Sequence, residues 1–287
     1  MAVSAPPKEQ ARGGVPGVAL AIAGLILIVV GLFFPVTLAK VEITASPLFY
    51  IGSWPITNAW ITGLLSLILL TVLFSSATRD MKLVPSGLQN LAEAVISFLV
   101  DLAENVAGKA KGREFFALFA TIFLYVVINN WLELLPGFTN ATIFVRQGED
   151  QVPLFRSPSA DLNFTLALAL TVVVMVQFWS IKHTGVGGWS SKFINLRGGA
   201  IGFVVGILEL LSEFSRIISF SFRLFGNLFA GEVLLSVIPS LIPWVIAIPF
   251  LGLELFVGVI QALIFGLLCL AFSAMATISH DTGGHGH

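Results

Sequence analysis

Charged side chains are scarce in this chain. Lys, Arg, Asp and Glu together make up 11% of its 287 residues, apolar residues make up 56%, and mean hydropathy is +0.95. A soluble domain carries about 25% charged residues, so a soluble globular class is excluded. The formal net charge of -1 excludes the broad basic field by which proteins bind nucleic acid. A single cysteine, Cys269, excludes an internal disulfide or a cysteine metal cluster, and its place in an apolar run gives it a packing role. No stretch has the spacing of a phosphate-cradling loop or a dinucleotide fingerprint. The Gly-rich run KHTGVGGWSSKFINLRGG from Lys182 reads instead as a surface connection. Repeats and low-complexity tracts are also lacking. Neither a catalytic centre nor a cofactor or metal site is expected, and the final HDTGGHGH reads as a solvated tail.

What the sequence does have is long apolar runs, which define an all-α, polytopic transmembrane protein. The first, Val15 to Phe34, follows Lys8 and Arg12 and ends at Pro35. It is longer than a signal-peptide core, and only Thr37 to Ala39 offers a weak cleavage site, so it is read as a retained span. A second run, Trp60 to Phe74, extends to a span with its flanks. From Ser86 to Ala107 the texture changes: Leu88, Leu91, Ala92, Val95, Leu99, Leu102 and Val106 recur at spacings of three and four, and Glu93, Ser97, Asp101 and Glu104 hold the other side. This pattern predicts an interfacial amphipathic helix. Its expected start is Pro85 with a Ser86/Gln89 capping box, and Lys109, Lys111 and Arg113 follow it at the headgroup surface. A third span, Phe115 to Leu135, brings Trp131 and Glu133 to where a helix would meet water. The loop to Asp161 reads as polar and irregular, and its Asn140-Ala141-Thr142 sequon as a chance match. The fourth span runs from about Leu162 to Ile181.

Alternating these spans places Lys8, Arg12, Arg79, Lys82, Lys109, Lys111, Arg113, Lys182, Lys192 and Arg197 on one side, and only Lys40, Arg146 and Arg156 on the other. The positive-inside rule makes the first side cytoplasmic, with both termini on it.

Two segments remain. A continuous helix from Ala200 to about Ile238 would be roughly 55 Å long, and one from Pro249 to about Ser279 about 45 Å, against a hydrocarbon core of about 30 Å. Joined by a turn around Pro239 and Pro243, they should form a strongly tilted hairpin that offers a long flank to a neighbour. At about 100° per residue, Glu209, Ser212, Arg216, Ser219, Arg223 and Asn227 share one face of the first helix, with Glu213 at the edge and Glu232 opposite. Glu254, Gly258, Gln261 and Phe265 form a stripe on the second. An ionisable group costs about 2.5–3.5 kcal/mol at the bilayer centre and by default marks an ion path. A pair such as Glu213 with Arg216 would be structural, but the stripes hold more acids than bases. Glu209 and Glu213 lie to the cytoplasmic side of Arg223; Glu232 and Glu254 flank the outer turn. Acids exchange protons and arginine does not, so the arrangement reads as two half-paths separated by a fixed positive barrier.

The run SFSFRLFGNLFAGE, with its acid nine residues after the arginine, together with QALIFGLL, ELLP and DLNFTLALAL, resembles subunit a of F-type ATP synthases from about Trp60 to Ser279. The resemblance implies a non-catalytic stator of the Fo sector in a prokaryotic cell membrane. Its partners would be a ring of c subunits, the peripheral-stalk b subunits and the other ATP synthase subunits, with ATP chemistry left to those partners. It also implies that Arg223 faces the ring carboxylate, that Asn227, Glu232 and Gln261 lie on or near the outer path, and that Glu209 belongs to the inner path. Asp161 and Glu133 align with acidic family positions. Glu254 stands where some members have histidine; if it approaches Glu232, the two would share protons and titrate together. Residues 1–57 are expected to be an extension with an extra span, and 58–287 the subunit a-like domain. The alternative, a stand-alone ion-coupled transporter, normally shows repeated halves and broken helices around a substrate pocket, and the sequence shows neither.

Overall fold

The computed structural model describes residues 44–135, 144–147, 150–194, 199–241 and 247–277. The expected first span, the sequon at Asn140, the turn at Pro243 and the terminal HDTGGHGH lie outside them.

A small antiparallel hairpin, β1 (Pro47–Ile51) and β2 (Trp54–Thr57), leads into α1 (Asn58–Thr78). Thr57 starts that helix, its hydroxyl accepting the Trp60 amide at 3.2 Å. This is the N-cap use of a short oxygen side chain. Helix α2 (Leu88–Ala107) is followed across Gly108 by α3 (Lys109–Glu133). A second hairpin, β3 (Phe144–Gln147) with β4 (Asp150–Pro153), and a 3-10 turn at Pro158–Ala160 lead to α4 (Leu162–Phe193). Asp161 caps α4 through the Asn163 amide at 3.0 Å. Helices α5 (Gly199–Leu241) and α6 (Ala247–Ala276) complete the described chain. Helices α1, α3, α4 and α6 are long and apolar enough to cross a membrane.

The all-α expectation holds, with α4 packed along α5, α3 along α6, and α2 along α3. Phe115, Phe119, Val126, Leu224, Phe265 and Leu270 are fully buried where these helices meet. Cys269 is buried among them, in the packing role expected. The overlong hairpin is present: α5 has 43 residues, about 65 Å at the helical rise, and it continues beyond Pro239 to Leu241.

Three local expectations are corrected. Ser86 and Gln89 form no capping box: α2 starts at Leu88 after Gly87 at φ 59°, without a side-chain cap. The Gln89 amide instead grips the backbone of Lys82, accepting at 3.1 Å and donating at 2.9 Å, and so closes the connection from α1. The Gly-rich connection from Lys182 is helical to Phe193, interrupted by Gly185 at φ 73°, a conformation glycine adopts without steric cost. After this break the chain folds back, and Trp189 donates to the Gln177 side chain at 2.8 Å. The described part of the loop before Asp161 is not irregular throughout: it holds the second hairpin and the 3-10 turn. The amphipathic face of α2 is buried only at its C-terminal half, through Leu99 and Ala103. Leu88 and Leu91 line an apolar cavity of about 460 Å³ shared with Phe74, Val127 and Trp131.

Candidate functional site

A polar seam joins α1 to α3 at the end of the bundle that carries Asn58 and Glu133. Ser66 donates to the Asn129 carbonyl oxygen at 2.7 Å, Asn129 to the Tyr125 carbonyl at 2.8 Å, and Tyr125 to the Gly63 carbonyl at 3.1 Å. Such bonds hold helices in register where lipid gives no hydrophobic drive for association. The seam reaches the loop above it: the Asn58 amide donates to the Pro153 carbonyl at 3.1 Å, and the Arg156 amide to the Thr62 hydroxyl at 3.2 Å. The stretch from Val152 to Asp161 is thereby pressed onto the helix ends, and Arg156, Ser157, Ser159 and Asp161 are buried.

Beneath that loop lies a cluster of acids. Glu133, expected at a water boundary, is only 4% exposed, because Ser157 above it hydrogen-bonds its carboxyl. It lies within electrostatic reach of Glu232, Glu254 and Arg156. The Arg156 guanidinium donates to Glu232 Oε2 at 3.1 Å, with both side chains largely buried. It also donates to the Thr44 carbonyl at 2.7 Å and the Ala160 carbonyl at 3.3 Å. From α6, the Glu254 carboxyl rests directly on the α5 backbone at Gly231, where any Cβ would overlap it. Glu254 Oε1 is buried without a hydrogen-bond partner among the described residues. Glu232 and Glu254, from two helices, therefore converge on one end of the hairpin as expected, with Glu133 as a third member.

The second stripe also faces the interior. Gly258 lets Asn130 approach closely enough to donate to its carbonyl at 2.9 Å. Gln261 is 6% exposed, with its amide nitrogen buried and unpartnered among the described residues, and Phe265 meets Phe220 at 5.2 Å between centroids.

The α5 stripe divides. Glu213 and Arg216 pair at 2.9 Å, with the guanidinium 4.0 Å from the Phe272 ring centroid, which pins α5 to α6. Glu209, Ser212, Ser219 and Arg223 are exposed, and Asn227 is half-buried. Arg223 reaches only the Ser219 hydroxyl, at 3.4 Å, and no acidic side chain pairs with it among the described residues. Phe222 and Phe214 beside it are also exposed. The outward surface of α5 is thus largely apolar around Arg223, with Glu209 and the hydroxyls of Ser212 and Ser219 the other polar groups of the stripe exposed on it.

Along α5, Arg223 thus stands on a largely apolar flank, with buried acids toward one end of the helix and the exposed Glu209 toward the other. The family model for the ATP synthase A chain matches residues 57–274. The chain belongs to the ATP synthase subunit a family. It is 34% identical over 230 residues to "ATP synthase subunit a" of Helicobacter pylori, spanning 79% of this chain and 92% of the relative. The same subunit of Helicobacter acinonychis is 34% identical over 230 residues, with the same coverage. That of Nitratiruptor sp. is 31% identical over 229 residues, 79% of this chain and 90% of the relative. Subunit a is the proton-conducting stator subunit of the Fo sector, and the catalysis of the synthase lies in F1 subunits. As a member, the chain is a multi-pass membrane protein with other ATP synthase subunits as partners, and its bacterial relatives imply the plasma membrane.

Sequence reasoning missed Arg156, which was counted only as an outer-side surface charge, and misjudged Glu133. Both are buried by one connection whose fold no helical periodicity reveals. The available signal was weak: an arginine set two residues before Pro158, close to the Asp161 cap of an apolar helix.

Proposed function

We propose that this subunit a conducts protons along two offset half-paths that meet beside Arg223 at a ring of c subunits. Arg223 attracts an ionised ring carboxylate and, being unable to release its proton at accessible pH, blocks direct passage between the paths. Glu232, Glu254 and Glu133 with Gln261 and Asn227 line the outer path. Glu209 and Glu213, with Ser219 nearer the barrier, line the inner one. Residues 58–287 are the subunit a domain, residues 1–57 an extension with one more span, both termini face the cytoplasm, and peripheral-stalk b subunits complete the stator.

The observation that carries this reading is the exposed, acid-free setting of Arg223 on the apolar flank of α5. A guanidinium there is costly unless an external carboxylate meets it. The test is ATP-driven proton pumping by the assembled synthase in vesicles. Arg223→Ala should reduce pumping to background while c subunits still co-purify. Arg223→Lys should fail as well, because lysine lacks the planar fork and loses its proton when desolvated. Normal coupled pumping by either variant overturns the reading.

A further inference from the structure

The acid cluster contains one group whose place in the reaction nothing above assigns. Arg156 is 3% exposed and belongs to no helix, yet it is held from several directions. Its amide donates to Thr62 on α1, and its guanidinium to the carbonyls of Thr44 and Ala160 and to Glu232 on α5. Two neutral carbonyls hold the fork alongside the carboxylate. The guanidinium is therefore a fixed point of the loop, and Glu232 is aligned to it. A buried cation is tolerated only when paired and hydrogen-bonded, and Glu232 supplies the opposite charge at 3.1 Å.

The charges facing Glu232 form a short set. The loop contributes Arg156; the other ionisable group between Val152 and Asp161, Asp161 itself, is spent on capping α4. Helix α3 contributes Glu133, which is in reach of Glu232, Glu254 and Arg156. Helix α6 contributes Glu254, seated on Gly231 beside Glu232. The outer halves of α1 and α4 carry no ionisable side chain between Asn58 and Thr78 or between Leu162 and Ile181. Three carboxyls and one guanidinium are electrically neutral when two protons are shared among the carboxyls. Without the guanidinium, neutrality requires a third proton.

We propose that Arg156 is the positioning residue of the outer proton path: it aims the Glu232 carboxylate into the cluster and sets how many protons the cluster holds. It touches no ring carboxylate and acts through Glu232. A proton entering from outside is accepted by a carboxyl of a cluster that already carries a permanent positive charge. The same proton then leaves toward the ring, and the ion pair re-forms behind it.

This inference rests on the assignment of Glu232 to the outer path, so the experiment separates the two. Assembled synthase in vesicles is assayed for ATP-driven proton pumping across pH, with parent, Glu232→Gln, Arg156→Gln, Arg156→Lys and Arg156→Gln/Glu232→Gln forms. Arg156→Gln should lower pumping about tenfold, as expected for a misplaced reacting group, and displace the pH profile by about one unit, as expected for a lost neighbouring charge. Arg156→Lys, which keeps the charge, should restore the profile more than the rate. In the Glu232→Gln background the Arg156→Gln change should have little further effect on the rate. Parent-like pumping by Arg156→Gln overturns the proposal and leaves the path assignment standing; parent-like pumping by Glu232→Gln overturns both. An equal loss for Arg156→Gln and Arg156→Lys with an unchanged pH profile also overturns it, since Arg156 would then only tie down the loop. If Arg156→Gln fails to assemble, Arg156→Lys decides: a rate effect that vanishes in the Glu232→Gln background supports the proposal, and one that persists undiminished overturns it.

Discussion

At the scale of single residues, the proposed outer path depends on where carboxyls find room. Glu254 can lie against α5 only because residue 231 has no side chain. Gly231→Ala puts a methyl group where the carboxyl sits and must displace it. The expected outcome is a several-fold loss of ATP-driven pumping with assembly retained, and pumping equal to the parent would show that the seat is unimportant. The three acids also make a specific prediction about coupling. Groups that act as a unit are strongly non-additive. Glu232→Gln and Glu254→Gln should each leave partial pumping with an altered pH profile, because Glu133 and the remaining acid still exchange protons. The double change should remove most of it. Strict additivity in log rate across the cycle, with unchanged pH profiles, would mean that the carboxyls work separately.

At the scale of elements, glycines decide which helices meet and where they turn. At Gly185 φ is 73° and ψ 164°, with open space around a built Cβ, so the cost of a side chain is conformational, about 1–3 kcal/mol in a region essentially confined to glycine. The chain beyond it folds back to place Lys192 against the Ser180 hydroxyl at 2.9 Å and the Ala276 carbonyl at 3.2 Å, tying α4 to the end of α6. Gly185→Ala should therefore lower the thermal midpoint of the purified synthase's membrane sector by a few degrees while pumping at low temperature changes little. An unchanged midpoint would show that the fold-back adds no stability. Gly112 is a different case. A Cβ there would come within 2.6 Å of the Ala103 carbonyl oxygen, because α2 and α3 cross at van der Waals distance, and only a backbone shift could relieve the overlap.

At the scale of the whole molecule, the long α5–α6 hairpin separates the acids of the two proposed half-paths. Along α5, Glu209 lies about 21 Å and Glu232 about 14 Å from Arg223 in opposite directions at the helical rise. Glu209 is exposed, whereas Glu232 is largely covered by the loop that bears Arg156. Cysteines placed at these positions, with Cys269 replaced by alanine, should react with impermeant silver ions from opposite faces of the membrane. Reaction of both from one face only would contradict the offset-path arrangement. The positive-inside count predicts which face is which, and Arg156 contributes nothing to that count as a surface charge because it is buried.

Among the described residues, the spans, the amphipathic α2, the overlong hairpin and the faces of its polar stripes were legible in the sequence. They follow from hydrophobic run length and from 3.6-residue periodicity, which are local properties of a chain in lipid. Arg223, Glu232, Glu254 and Gln261 were legible too, because an ionisable or amide side chain in an apolar run is conspicuous wherever it points. Tertiary structure alone decided which of these are buried together. Glu133 and Arg156 lie 23 positions apart in sequence, joined by a connection with no helical period, and they share the cluster only because hydrogen bonds to α1 draw that connection over the helix ends. Gly231 and Glu254 meet for the same kind of reason: the contact is set by how closely α5 and α6 pack, not by any pattern along the chain.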